Sequence, residues 1–404
     1  MFSSEERLDH LLQPHHYFDA EHYATELRAM FLPSWQFAVT HSEIADAGDY
    51  VTLDVAGIPA IIRNFGDTVA AFRNVCPHRH SMLRCEPRGN MDTLRCQYHG
   101  WEFQPDGSTA KIPEPRGFRP WDRENSHLQT LRLERIADLY FITTDASLPP
   151  LRKWLPDVVV GEIESAFATP TWRKRRTWEF DVPCNWKIPV ENTLEGYHIG
   201  EVHPQWYGGG LPSAENSRHQ LHPQWTSLTY PHEFATDRGQ AWLSRRLGNH
   251  PRLDYRHYQI HPNLTLGLND VFGYLSQCVP TSPTTSRCRI RTYSLHGRCK
   301  TPIDWVARTI SHRWGESMFT KIINQDRTIY GPQQRGMQSS PHRGVIGIRE
   351  ERVHYFQHFV QTRCGIEPSP SKSPPTPPSV STSESPPASH RATDPPPIAQ
   401  SNGL

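Results

Sequence analysis

The sequence predicts an α+β fold in two domains: a small all-β domain, then a larger one that sets a sheet against a long helix. Three observations carry this. Between residues 41 and 147, short strand-like stretches (DYVTLDVAG, PAIIRNFG, TVAAFRNV, TLRCQYHGWEF, LQTLRLERIADLYFITT) are separated by turns rich in Gly, Asp and Asn. Between 148 and 365, strand-like segments (RTWEFDVP, LTLGLN, VFGYLSQCV, SRCRIRTYSLHG) give way to one long helical pattern, TPIDWVARTISHRWGESMFTKIINQDRTIYG. Strands first and a helix afterwards suggest a sheet covered by a helix. The length of 404 residues has room for two or three such units.

The two ends read differently. In residues 1–40, AEHYATELRAMFLPSWQFA has the pattern of an amphipathic helix that stops near Pro33 and packs on the larger domain. Residues 366–404 hold 11 of the 37 prolines and almost no large apolar side chain, so they cannot bury enough surface to order themselves. They are expected to form a disordered tail. Lys+Arg 43 against Asp+Glu 42 leaves a net charge of +1, which gives no electrostatic footprint for nucleic acid or an anionic membrane. No apolar run approaches the roughly 20 residues that span a bilayer. The opening MFSSEERLDHLL lacks a basic stretch followed by an apolar one, and eight Cys are too sparse for a disulfide scaffold. A cytoplasmic protein is the expectation.

Two constellations carry chemistry. The first is Cys76-x-His78 and, 17 residues on, Cys96-x2-His99. Zinc is a competitor, but zinc sites usually pair Cys with Cys on one loop. Here each loop offers one thiol and one imidazole. That split suits a [2Fe–2S] cluster in which one iron takes two thiolates and the other two imidazoles. Pro77 stiffens one loop, and Trp101, after Gly100, can shield the cluster from water. His80 and Cys85 lie between the ligands at spacings that do not fit, and read as loop residues.

The second lies in CNWKIPVENTLEGYHIGEVHP. On a helix, Glu191, Glu195 and His198 would share one face. His198 and His203 are five apart, about 140° round an ideal helix. They can meet at one metal only if the helix distorts or ends between them, and Gly200 and Pro204 allow that. The pair alone is a weak signal. A third candidate strengthens it: Asp326 falls on a mostly apolar stripe of the long helix, formed by Trp305, Thr309, Trp314, Met318, Ile322 and Ile329 and continued by Phe319, Ile323 and Tyr330. A buried carboxylate needs a partner. Either it pairs with an arginine such as Arg327 or Arg335, or it joins the two histidines in the facial triad of non-haem Fe(II) enzymes.

Both constellations resemble the ring-hydroxylating, Rieske-type non-haem iron oxygenases. C-x-H-x17-C-x2-H-G-W is that family's cluster motif. Asn185, Trp186, Lys187, Glu191, Asn192, Glu195, His198 and His203 match its catalytic motif, and Asp326 with Gln334-Arg335-Gly336 matches its late carboxylate ligand. The ending GVIGIREERVHYFQHFV looks like the family's closing strand and helix. The resemblance implies a Rieske domain over 41–147 and, over 148–365, a helix-grip (START-like) catalytic domain with an antiparallel sheet. It implies Cys76, His78, Cys96 and His99 as cluster ligands and His198, His203 and Asp326 as Fe(II) ligands. Asn192 and Glu195 would be catalytic, Glu195 bridging His198 to His99 of a neighbouring subunit in a homotrimer. Two departures stand out. The bridging acid is Glu rather than the Asp usual in dihydroxylating enzymes, and one residue fewer separates it from Asn192. Glu is frequent there in the quaternary-amine branch.

The expected activity is that of a terminal oxygenase using O2. No flavin or nicotinamide motif is present, so electrons must come from a separate NAD(P)H-dependent reductase or ferredoxin. An aromatic or cyclic substrate, hydroxylated or demethylated, is the first expectation, and a carnitine- or choline-like quaternary ammonium compound the alternative. For the latter, Tyr197, Trp206 and Tyr207 are candidates for an aromatic cage. An electron-carrying Rieske protein, or a helix-grip binding module with a dead iron site, are readings of other classes.

Overall fold

The computed structural model describes residues 6–168, 171–205, 216–231 and 235–367. The expected tail beyond Glu367, with Trp206 and Tyr207, lies outside the described residues. Helix α1 (Ala20–Glu26) begins where Asp19 accepts a hydrogen bond from the His22 amide, and it widens into a π turn over Leu27–Phe31 just before Pro33.

Ten strands follow: β1 (Gln36–Thr40), β2 (Asp49–Val55), β3 (Ile58–Asn64), β4 (Val69–Arg73), β5 (Arg88–Asn90), β6 (Leu94–Arg95), β7 (Glu102–Phe103), β8 (Thr109–Lys111), β9 (Thr130–Ile136) and β10 (Leu139–Thr143). Seven form an antiparallel sheet in the order β1-β10-β9-β4-β3-β2-β5, and β6-β7-β8 form a second, small sheet. Alternation along β3 shows how the first sheet is used. Ala60 and Ile62 enter a core with Val51, Leu131 and Ile142, whereas Ile61 enters another with Phe72, Cys76, Cys96 and Trp101. The two Cys-His loops therefore close over the Ile61 face. Strand β1, placed by the sequence reading within the N-terminal segment, is the edge of this sheet, because its backbone pairs with β10.

The larger part contains α2 (Leu151–Trp154), α3 (Asp157–Ala166), β11 (Trp172–Val182), α4 (Lys187–Leu194), α5 (Ile199–Val202), β12 (Arg218–His222), β13 (Trp225–Pro231), α6 (Ala235–Arg246), β14 (Asp254–Ile260), β15 (Leu264–Leu268), β16 (Phe272–Ser282), β17 (Thr285–Leu295), α7 (Pro302–Ser339) and α8 (Glu351–Cys364). Its seven strands form an antiparallel sheet ordered β11-β17-β16-β15-β14-β13-β12. Tyr258, Leu264, Leu266 and Leu275 point to a core shared with α2 and α3. The opposite face, with Thr265, Ser276, Cys278 and Ile290, lies toward α4 and α7. Helix α7 starts on a capping box between Thr301 and Asp304, with Pro302 in its first turn.

Two expectations change here. The inward stripe of α7 is Asp304, His312, Gly315, Phe319, Asp326, Tyr330 and Gln334. Trp305 and Trp314 are 56% and 44% exposed. The buried face is more polar than expected because each polar member finds a partner: Asp304 with Arg246, His312 with the Leu295 carbonyl, Gln334 with the Asn185 amide. The expected closing strand is only an isolated bridge between Leu8 and Ile346, because the chain turns at once into Ile348–Glu350 and α8.

Polar contacts tie the parts together. Arg291 of β17 donates to Glu43, and the Tyr293 hydroxyl donates to Asp138 across 3.0 Å. Arginine and lysine beside Glu43 outweigh burial and hold its pKa at about 2. Buried Lys187 of α4 pairs with Glu26 of α1 and donates to the His16 carbonyl, and the Trp186 indole donates to the same Glu26. The N-terminal helix thus braces the element that carries the second motif.

Candidate metal centres

The two Cys-His loops are built alike. The Cys76 amide donates to the Ser81 carbonyl and the His80 amide to the Cys76 carbonyl. In the other loop the Cys96 amide donates to Trp101 and the Gly100 amide to Cys96. In both, the residue four after the cysteine has positive φ, +59° at His80 and +72° at Gly100. Each loop is a tight knuckle that turns its thiol inward.

The thiols of Cys76 and Cys96 are 1% and 3% exposed and interact with each other. Burial pushes the Cys76 thiol up to about 12, so a cation is needed to hold it as thiolate. The imidazoles stand further out: His78 is half-buried and His99 exposed, their centroids 4.7 Å apart. His78 stacks on Trp101 at 4.9 Å and 5° between planes. Donors around one zinc ion would lie about 3.3–3.8 Å apart. Among the described residues, the group of three or more such side chains whose ligand atoms all fall within 4.8 Å is a different one, so these four do not close on a single ion. Buried thiols and outward imidazoles fit a two-iron cluster with electron exit on the imidazole side.

That other group is His198, His203 and Asp326. Helix α4 ends at Leu194, and Glu195 is extended (φ −128°, ψ 164°). The expected continuous helix through Glu191, Glu195 and His198 is therefore not formed: the chain leaves it at Glu195-Gly196, earlier than Gly200. Oε2 of Glu195 accepts from the Tyr197 and His198 amides, and Oε1 contacts His198 Nδ1 at 2.5 Å. His198 and His203 then flank the single turn of α5, one at each end, which brings their rings to 5.4 Å.

The donor set calls for a cation. His203 Nδ1 faces Gln325 Oε1 at 2.9 Å, which favours a proton on Nδ1. Its Nε2 lies 3.0 Å from Asp326 Oδ1, and His198 Nε2 lies 3.7 Å from the same oxygen. Two imidazole nitrogens thus converge on one carboxylate, and a proton on Nε2 of His203 or a shared metal ion satisfies the arrangement. Burial lowers the His203 pKa, but Asp326 and Gln325 outweigh it and raise it. Arg327 lies over the Phe180 ring at 4.2 Å, and neither it nor Arg335 pairs with Asp326. Two imidazoles and a carboxylate fit a facial Fe(II) site. Asn192 is half-buried in α4, and its side chain makes no hydrogen bond among the described residues. Gln325 was not anticipated; its only sequence signal is its place next to Asp326.

A small cavity of about 40 Å³ adjoins Asp326, walled by Val190, Thr193, Ser276, Cys278, Ile323 and Tyr330. A larger cleft of about 420 Å³ lies between α6 and α7, against Trp242, Phe272 and Trp314. It touches no metal ligand, whereas the smaller cavity reaches Asp326. Tyr197 is 66% exposed and outside the smaller cavity's wall. No helix among the described residues is long and apolar enough to cross a membrane.

Residues 169–366 match the ring hydroxylating alpha subunit (catalytic domain) family, and residues 34–130 the Rieske [2Fe-2S] domain family. The chain is 31% identical over 373 residues to the carnitine monooxygenase oxygenase subunit of Acinetobacter pittii (strain PHEA-2), covering 85% of this chain and 92% of that one. It is 30% identical over 205 residues to the 2-halobenzoate 1,2-dioxygenase large subunit of Burkholderia cepacia, covering 46% and 42%. A quaternary ammonium Rieske monooxygenase solved with L-carnitine shares the fold, with a TM-score of 0.70, 23% identity, and coverage of 87% of this chain and 95% of that one.

Proposed function

The chain belongs to the Rieske non-haem iron oxygenases as a ring-hydroxylating-type alpha subunit, and from that premise we propose that it oxygenates a small quaternary ammonium carboxylate. It is an oxidoreductase with a Rieske [2Fe-2S] domain and a His/His/Asp metal site. The observation that carries the chemistry is the convergence of His198, His203 and Asp326 beside a cavity under α7. The substrate class is supported by the carnitine relative, which aligns along most of both chains, and by Glu195 in place of Asp.

When bound, the mononuclear Fe(II) supplies O2 activation and the cluster supplies electrons singly. The chain's own side chains do the rest. Cys76, His78, Cys96 and His99 hold the cluster, and Trp101 keeps water from one imidazole. Glu195 Oε1 accepts a hydrogen bond from His198 Nδ1, and Gln325 Oε1 one from His203 Nδ1, so both rings would present Nε2 to the metal. Fixed ring orientation of this kind tunes a metal and its affinity. The exposure of His99 suits a route in which a neighbouring subunit's Glu195 receives it, in a homotrimer. A separate NAD(P)H-dependent reductase or ferredoxin feeds the cluster.

The aromatic reading is second. The 2-halobenzoate relative favours it but aligns over less than half of either chain. Carnitine and 2-halobenzoate both carry a carboxylate. The test is O2 uptake by the reconstituted protein with a reductase and either L-carnitine or 2-chlorobenzoate. Tertiary amine released in step with O2 uptake from L-carnitine is expected. Coupled turnover of 2-chlorobenzoate alone would overturn the quaternary ammonium reading in favour of the second.

A further inference from the structure

Arg352 sits in the first turn of α8 and is 0% exposed. Its Nε donates to Thr226 Oγ1 at 3.1 Å and its Nη2 to His257 Nδ1 at 3.0 Å. Nη1 is buried and has no hydrogen-bond partner. No described carboxylate pairs with this guanidinium: its neighbour Glu351 lies 2.6 Å from His219 Nδ1 instead. A buried cation without an anion is among the costliest arrangements in a protein interior. In the sheet's own strands the chain avoids it: Arg256 pairs with Glu162, and Arg291 with Glu43 and Glu179. Burial pulls the Arg352 pKa down only to about 10, so the group stays charged at neutral pH.

Its position gives the charge a use. Thr226, Gln259, Thr265 and Ser276 stand opposite one another in successive strands and so share one face of the sheet. Thr265 and Ser276 line the cavity beside Asp326. Thr226 is two strands away from Thr265, about 10 Å. On the same face, the half-buried Tyr274 of β16 feels the charges of both Asp326 and Arg352, and its hydroxyl lies 3.3 Å from the Tyr255 hydroxyl.

We propose that Arg352 is the substrate's carboxylate anchor: Nη1 and Nη2 grip the carboxylate while the carbon to be oxygenated lies at the His198–His203–Asp326 centre. Guanidinium is suited to this because its planar donors match the two oxygens of a carboxylate. The proposal rests on the substrate reading above only in requiring a carboxylate, and holds for a quaternary ammonium acid or an aromatic one.

The test is calorimetric titration of the anaerobic holoenzyme with L-carnitine and its carboxamide, choline, and 2-chlorobenzoate and its amide. At least one acid should bind ~10-fold or more tighter than its amide. Arg352→Gln should abolish that difference, and Arg352→Lys should keep part of it, both at wild-type iron and sulfide content. Because the guanidinium also bridges Thr226 and His257, the Gln variant can fail to fold. The acid–amide comparison on the unaltered protein and the Lys variant then decide. Acids that bind no better than amides, no binding by either acid, or a preference surviving in a folded Arg352→Gln would each overturn the anchor. A preference in the benzoate pair alone keeps the anchor and removes the quaternary ammonium reading. Choline binding as well as carnitine removes the anchor and keeps that reading.

Discussion

Nε2 of His203 stands 3.0 Å from Oδ1 of Asp326, 123 residues away in the chain. His198 Nε2 converges on the same oxygen, and this grouping of two imidazoles and one carboxylate is what marks a metal site. Asp326→Ala should therefore empty the mononuclear site and leave the cluster intact. Iron should fall from about three to about two per chain, with sulfide unchanged at about two. Unchanged iron would move the carboxylate ligand elsewhere. Glu350 and Glu351 are the nearest alternatives in sequence, although Glu350 accepts from the Gly347 amide and Glu351 contacts His219.

Glu195→Gln should retain both metal sites but lose coupled turnover. The carboxylate that orients His198 also faces the route proposed from the neighbouring subunit, and an amide oxygen can still accept the His198 proton. The informative comparison is product formed per O2 consumed, alongside the rate of cluster reoxidation by O2. Full coupling in this variant would reduce Glu195 to a turn-forming residue, a role its bonds to the Tyr197 and His198 amides also fit.

The paired knuckles predict opposite responses at equivalent positions. Gly100→Ala places a side chain at φ +72°, and its Cβ would meet the Arg95 guanidinium at 2.7 Å. The arginine end can move, but the backbone cost of about 1–2 kcal/mol remains. His80 already bears that cost at φ +59°. His80→Gly should relieve it, for a net gain of under ~1 kcal/mol after glycine's extra chain entropy. Thermal loss of the cluster's visible absorbance reads both. Equal shifts in the same direction would contradict the equivalence.

Glu191 makes stability depend on pH. Burial raises its pKa from 4.5 to about 7, although the Tyr17 hydroxyl and the Gln357 amide both donate to it. Between those values the folded chain holds a proton that the unfolded chain has released. The contribution is therefore complete below pH 4.5 and is lost as pH rises through 7. Its size is on the order of 3 kcal/mol. Melting temperatures at pH 5, 6, 7 and 8 should fall less steeply for Glu191→Gln than for the parent. Parallel curves would exclude Glu191 as the titrating group.

What the sequence reveals depends on how local the determining contacts are. Cys76, His78, Cys96 and His99 are legible because each knuckle is closed by bonds spanning four or five residues, so spacing encodes geometry. His198 and His203 are half legible. The five-residue interval hints at a metal, but the turn that aligns the rings is set by Glu195 accepting from the two amides that follow it, those of Tyr197 and His198. The face of α7 was misjudged at Trp305 and Trp314, because hydropathy cannot foresee that Asp304, His312 and Gln334 find partners inside. Arg352 could not be read at all: its bonds reach strands 126 and 95 residues away.

The brace around α4 has a consequence for biosynthesis. Lys187 needs the carboxylate of Glu26, Tyr17 needs Glu191, and Gln334 and Gln357 bond to Tyr17 in turn. The sequence separations are 161, 174, 317 and 340 residues. The segment around Tyr17 and Glu26, made before α4, thus has no complete docking site until α8 has emerged. The cluster-bearing sheet, whose contacts close within residues 36–143, can form long before. Non-local closure of this kind is slow and leaves apolar surface open while it waits. Shortening the chain from the front by some twenty-six residues would remove Glu26 and strand a buried ammonium on the helix that precedes the iron ligands, so the damage would show first as lost mononuclear iron, with the cluster domain still coloured.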